Sequence, residues 1–198
     1  MAIIQDLQDV AARWGALGGA WRATAAAVAL KADTSDTIRA KLQTYTAAAK
    51  QAAADEAQTR ALHTETADLA AATANTILDD SMRASGDGRT QEAAVLNAAA
   101  REITTAMRAA VDAYRAAGDA LLALWLVGER LTGAAAVAAG YDPALEQLAN
   151  DAADQNNELR QILKAMGATF GAAFGGLAGL AILAIGGALA WRLLRSRR

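Results

Sequence analysis

Few residues of this chain have the types and spacing that catalysis or metal binding requires. The sequence contains one histidine and no cysteine, which excludes thiol catalysis, disulfides and thiolate metal sites. His63 has Glu65 two residues later and Asp68 five residues later, and neither spacing puts a carboxylate beside it on a helix. We therefore interpret His63 as a solvated or hydrogen-bonded surface histidine and expect no metal site.

Two other polar parts of the sequence also lack the spacing that catalysis or ion binding requires. Asp79 and Asp80 are adjacent, so a helix directs them to different faces. The stretch Gly86–Thr90 lacks the lysine and the glycine spacing of a phosphate loop, and with Asp87 the aspartates do not follow the order of a calcium loop. Because no nucleophile, base and orienting group occur as a set, we expect a chain that is not an enzyme, with no catalytic residue and no cofactor.

The composition indicates long helices with little bulky core material. Of the 198 residues 54% are apolar, but alanine alone accounts for 57 residues, and alanine has the highest helix propensity. The formal charge of −2 creates no field that attracts nucleic acid, so we expect no sequence-specific nucleic-acid binding. The predicted fold class is all-α: a long antiparallel helical hairpin or bundle, coiled-coil-like, that continues into one C-terminal transmembrane helix.

The strongest single signal is the segment 165–191, which contains no charged residue. As a helix it spans about 40 Å, against roughly 30 Å of bilayer hydrocarbon. The basic tail 192–198 follows, as the positive-inside rule and anionic lipid headgroups favour. We predict a single-pass C-terminal membrane anchor, with a buried core helix as the alternative, and these membrane-interface residues: Trp191, Arg192, Arg195, Arg197 and Arg198.

Glycines recur every four residues within this segment, at Gly167, Gly171, Gly175 and Gly179. That spacing places them on one helix face, where a second helix can approach closely. The pattern predicts a self-associating transmembrane helix and hence a homo-oligomer. The alternative is an apolar anchor whose glycines only loosen the helix.

Residues 1–32 are predicted to form an amphipathic helix. Trp14 and Trp21, seven residues apart, are interpreted as buried anchors in a bundle, with a membrane-surface face as the alternative. Residues 143–164 are predicted to form a helical stem, and its amides at 155–157 indicate an exposed polar patch or a register-fixing seam.

Between them, residues 33–140 are predicted to form a long helical hairpin with its turn at 85–90. The first arm opens with an apolar stripe and becomes more polar after Ala52, as a solvent-exposed stem would. The second arm includes the apolar stretch Leu121–Val127, which we assign to the bundle rather than to a membrane because charged residues follow at once. Its four-three spacing predicts a bundle seam that includes Leu96, Ile103, Met107, Tyr114, Leu121 and Leu124.

In being small, alanine-rich and helical, with a glycine- and alanine-rich apolar segment, the chain resembles bacteriophage internal, pilot and ejection proteins. That resemblance, which is one of composition, implies a structural virion protein that forms or lines a conduit across a membrane. The partners expected are then the lipid bilayer, further copies of the chain and other structural proteins of a large assembly. Two alternatives stay open: a helical pore-forming or secretion-translocator protein, and a tail-anchored cellular adaptor or stalk.

Overall fold

The computed structural model describes residues 2–31, 33–139 and 145–167. Within those ranges the regular elements are all α-helices and there is no strand. Four helices are present: α1 (Ala2–Val28), α2 (Ser35–Gly86), α3 (Thr90–Ala139) and α4 (145–167). The all-helical prediction is confirmed for this part of the chain.

The first helix, α1, packs against both α2 and α3. The side chains of Trp14 and Trp21 are 0% and 4% exposed, which confirms that both are buried anchors. Buried residues recur at three- and four-residue steps and therefore share one helix face. They are Ile3, Leu7, Val10, Trp14, Gly18, Trp21, Ala25 and Val28.

The chain enters α2 through a short, hydrogen-bonded connection. Thr34 is the N-cap residue, and its Oγ1 accepts a hydrogen bond from the Thr37 amide at 3.4 Å. Lys41 Nζ donates to the Ala29 carbonyl and to Asp33 Oδ2, both at 2.7 Å, so the side chain ties the connection to the first turns of α2. The hydrogen bond from Lys41 is the largest cause that lowers the pKa of Asp33.

A tight turn at Asp87–Arg89 separates α2 from α3. Gly88 has φ +78°, a left-handed conformation that a glycine adopts without strain. The Asp87 amide donates to the Arg83 carbonyl at 3.0 Å, and the Arg89 guanidinium pairs with both Asp87 and Glu92. The bond from the Asp87 amide satisfies a carbonyl that the end of α2 leaves free.

Contacts between α2 and α3 run in antiparallel order. Tyr45, early in α2, lies against Gly128, late in α3. The rings of His63 and Tyr114 are 5.6 Å apart, and Ser81 Oγ donates to the Ala93 carbonyl at 3.0 Å close to the turn.

Small residues allow the helices to approach closely. A Cβ atom added to Gly18 of α1 would lie 3.3 Å from Ala117 Cα of α3, which leaves almost no room for a side chain. Nearby, Arg22 donates to the Ala116 carbonyl at 3.0 Å. The core is accordingly rich in fully or nearly fully buried alanines, including Ala49, Ala52, Ala70, Ala84, Ala100, Ala110, Ala117, Ala120 and Ala135.

The chain divides into two compact units, Met1–Arg160 and Gln161–Arg198. In the first unit α4 buries Leu145, Ala149, Ala152, Asn156 and Leu159. Of the second unit the structure describes 161–167, which are helical. The predicted transmembrane segment therefore lies outside the described residues except for 165–167, and the basic tail lies wholly outside them.

Among the described residues one helix is long and apolar enough to cross a membrane, and it is α3, over Thr90–Ala138 in the middle of the chain. Within its apolar stretch Leu121 and Leu124 are fully buried, whereas Leu122 and Leu126 are 42% and 43% exposed. The stretch that we assigned to the bundle therefore has one buried side and one open side.

Candidate functional site: polar and aromatic groups inside the bundle

Three rings, one from each of α1, α2 and α3, meet in the core, and we call them the aromatic cluster: Trp14, His63 and Tyr114. The Trp14 and Tyr114 ring centroids are 4.7 Å apart, and those of Trp14 and His63 are 6.3 Å apart. Trp14 Nε1 donates a hydrogen bond to His63 Nδ1 at 3.1 Å. The cluster therefore joins all three helices through ring contacts and one polar contact.

The position of His63 corrects our sequence interpretation. It is half-buried between Trp14 and Tyr114 rather than at the surface. Because Nδ1 accepts the indole proton, the imidazole is neutral and carries its own proton on Nε2. Burial lowers the pKa of His63, which favours that neutral form.

The polar part of α2 was also predicted wrongly as an exposed stem. Glu56, Thr59 and Thr66 are 0%, 6% and 7% exposed. Packing against α1 and α3 encloses this stretch.

Glu56 places a carboxylate in the core. Arg60 Nε lies 3.5 Å from its Oε1, one helical turn away, and the Arg60 side chain is 41% exposed. Neither oxygen of Glu56 accepts a hydrogen bond from any residue that the structure describes. Burial raises the pKa of Glu56 and the charge of Arg60 partly opposes that rise, so this carboxyl binds a proton more readily than an exposed glutamate does.

A second polar cluster, Tyr45–Asn156–Thr132, connects α2, α4 and α3. The Tyr45 hydroxyl donates to Asn156 Oδ1, and Asn156 Nδ2 donates to Thr132 Oγ1 at 3.4 Å. Thr132 in turn donates to the Gly128 carbonyl at 2.9 Å. Burial, followed by the charge of Glu129, raises the pKa of Tyr45, so its hydroxyl stays protonated.

Asn156 is 2% exposed, so the exposed-patch interpretation is wrong for this residue. Its amide lies at a helix seam, as the second of our two interpretations described. Buried amides of this kind fix the register of packed helices because a shifted register leaves them unpaired.

Gly128→Ala is expected to destabilise the protein by about 1–3 kcal/mol, the usual cost of overpacking a core. A Cβ atom at this position overlaps the Tyr45 ring and Asn156 Oδ1, so both partners of the hydrogen bond must move. Denaturant unfolding of the full chain, followed by circular dichroism, measures the change.

The matched control is Gly133→Ala, also on α3, where an added Cβ meets no atom within 4 Å. There alanine is expected to stabilise by about 0.5–1 kcal/mol through helix propensity. Equal effects of the two substitutions would contradict the close packing around Gly128.

The structure places the other predicted residues as follows. Ile103, Met107, Tyr114, Leu121 and Leu124 of the predicted seam are buried, and Leu96 is half-buried. Gly167 is helical and exposed, with no atom within 4 Å of an added Cβ. The remaining predicted membrane residues lie outside the described part of the chain: Gly171, Gly175, Gly179, Trp191, Arg192, Arg195, Arg197 and Arg198.

Within the described ranges no group of three or more histidine, aspartate and glutamate side chains could hold a metal ion. The buried groups can bind and release protons, with the pKa lowered at His63 and raised at Glu56. Asn156 can fix the register of the packed helices. The chain matches no protein-family model, and neither curated proteins nor solved structures give a significant match.

Proposed function

We propose that this chain is a non-enzymatic helical protein held in a lipid bilayer by a C-terminal transmembrane helix, where its copies associate into a homo-oligomer. The observation that carries the proposal is the uncharged segment 165–191 followed by four arginines within seven residues. Its length suits a bilayer, and its basic end suits anionic headgroups.

The anchored bundle acts as a structural element rather than as a catalyst. Its core is built from alanine contacts and from the Tyr45–Asn156–Thr132 cluster, which favour one fixed helix register. In its more specific form the proposal places the chain among phage internal, pilot and ejection proteins, and that step is supported by the compositional resemblance alone.

Two arginines inside the segment, Leu177→Arg with Leu180→Arg, are expected to remove the full chain from membranes. Each arginine costs about 2.5–3.5 kcal/mol near the centre of a transmembrane helix. The measurement is the fraction of full-length protein that stays with liposomes after alkaline carbonate extraction, and we expect most of the variant in the supernatant.

The control is Leu122→Arg with Leu126→Arg, at the two exposed leucines of α3. This pair adds the same charge and is expected to leave the protein in the carbonate-resistant pellet. If it releases the protein while the Leu177 and Leu180 pair does not, α3 is the anchor and the proposal is overturned.

Self-association is tested with a separate pair of substitutions. Gly171→Leu with Gly175→Leu fills the small-residue face and is expected to reduce the oligomer that the wild type forms in mild detergent. Ala173→Leu with Ala184→Leu is the control, which places the same two leucine side chains away from the four-residue row. An unchanged particle mass by light scattering for the glycine pair would show that this face does not hold copies together.

A specific observation favours pore formation as a second candidate function. α3 is long and apolar enough to span a membrane, yet only 33% of its most apolar stretch is buried. Exposed Leu122, Leu126 and Val137 leave one side of it open, although Glu129 and Arg130 interrupt that side. Release of dye from liposomes by the wild type, abolished by Leu122→Arg with Leu126→Arg, would favour this candidate over a passive anchor.

A further inference from the structure

The aromatic cluster contains a polar contact between α1 and α2 whose acceptor is an imidazole nitrogen, a group that ordinarily titrates near neutral pH. His63 is the single histidine of the sequence, and its Nδ1 accepts the Trp14 indole proton at 3.1 Å. Histidine is the side chain whose ordinary pKa lies closest to this range. The geometry thus ties the position of α1 to the protonation of one ring.

We propose that the aromatic cluster is an acid-sensitive latch, in which protonation of His63 Nδ1 breaks the bond to Trp14 and releases α1 from α2 and α3. This proposal does not depend on the membrane anchor. It predicts a protein that is closed at neutral and alkaline pH and opens toward pH 5.

The chemical step is the uptake of one proton from solvent. The Nδ1 lone pair that accepts the indole N–H becomes an N–H bond, so the imidazolium has two donors and no acceptor. Trp14 Nε1–H and His63 Nδ1–H then face each other as two donors. The bond is lost, and a positive charge lies where the ring is half-buried.

The groups around His63 do not neutralise that charge. The ring meets Trp14 from α1 and Tyr114 from α3. On α2, the charged residue one turn earlier is Arg60, a cation that pairs with Glu56. Burial is the cause of the lowered pKa of His63.

Charged residues next to the cluster lie farther out on α1 and α3. Arg13 precedes Trp14 and is exposed, and Arg115 follows Tyr114 and lies 3.5 Å from Asp112.

Opening is expected at α1 because the contact that protonation removes is the bond between Trp14 of α1 and His63 of α2. The close approach of Gly18 to Ala117 and the bond from Arg22 to the Ala116 carbonyl do not change with pH. α2 and α3 stay paired through their own turn and through bonds such as Ser81 to Ala93. Release of α1 therefore uncovers α3, the apolar helix against which it packs.

Glu56, seven residues before His63 on the same face of α2, titrates with the opposite effect. Its pKa is raised by burial, so acid removes an unfavourable buried charge. The Glu56→Gln background removes this opposing contribution, and the latch is expected to open at a higher pH in that variant than in the wild type.

The test uses the full chain in mild detergent micelles. The ring carbons of the single histidine report its titration by NMR, and we expect an apparent pKa below 6.5. Hydrogen exchange of peptides from Ala2–Val28, corrected for intrinsic rates, reports release of α1. Protonation of His63 is expected to increase the equilibrium constant for release of α1 about tenfold for each unit by which folding lowers the pKa of His63.

The matched variant is His63→Asn, which keeps an acceptor oxygen near the position of Nδ1 and cannot be protonated in this range. Its α1 peptides are expected to keep the same protection from pH 8 to pH 5. Equal loss of protection in wild type and variant would overturn the latch. So would a wild-type histidine that titrates at or above 6.5, and that measurement does not depend on whether the variant folds.

Discussion

Trp14→Ala is expected to lower the free energy of unfolding by about 3–5 kcal/mol, the usual cost of truncating a buried aromatic residue. Trp14 is 0% exposed and contacts both His63 and Tyr114, so alanine leaves a cavity where three helices meet. It also removes the donor that satisfies His63 Nδ1. Denaturant unfolding of the full chain at pH 8, followed by circular dichroism, measures the loss.

The companion substitution Trp14→Phe separates packing from hydrogen bonding. Phenylalanine keeps an aromatic ring but has no N–H, so we expect a smaller loss than for alanine. The difference in free energy of unfolding between wild type and Trp14→Phe should decrease on acidification, since protonated His63 cannot accept a hydrogen bond. A cost for Trp14→Ala below about 1 kcal/mol, the level typical of surface positions, would contradict the packing of α1.

The helices and their apolar faces could be predicted because they depend on local spacing. Trp14 and Trp21 are seven residues apart, and α3 has apolar residues at four-three steps from Ile103 to Leu124. Such spacing indicates which side of a helix packs against a partner, whichever element that partner is.

The burial of polar residues in α2 was not predicted, because their polar side chains were taken to indicate exposure although their spacing indicates a buried face. The stripe of α2 continues in the same four-three steps through Glu56, Thr59, His63 and Thr66 to Ala70, so their burial could have been inferred. The α2 sequence does not specify which helices cover that face, and in the structure α1 and α3 do so. Asn156 is similar, since its partners Tyr45 and Thr132 lie 111 and 24 residues away.

Glu56→Met is expected to stabilise the protein by about 1–4 kcal/mol at pH 7, the range found when buried charges are replaced by packed apolar groups. Methionine has a similar length and flexibility, so it fills the space of the glutamate without overpacking. Among the residues that the structure describes, the substitution removes one ion pair, with Arg60, whose side chain is 41% exposed and can be hydrated instead. No hydrogen bond is lost, because neither carboxylate oxygen accepts one from the described residues.

The pH dependence of this gain identifies its cause. Burial raises the pKa of Glu56 above its usual value of 4.5, so the folded state holds the proton more tightly than the unfolded state. The wild type therefore carries the full penalty above the folded pKa and loses it as the pH falls toward 4.5. The advantage of Glu56→Met should shrink over the same interval. Glu65→Met, at an exposed position on α2, is the control and should change stability by less than about 0.5 kcal/mol at either pH. A gain for Glu56→Met that does not vary with pH would show that Glu56 is already protonated at pH 7 and that improved packing alone is responsible.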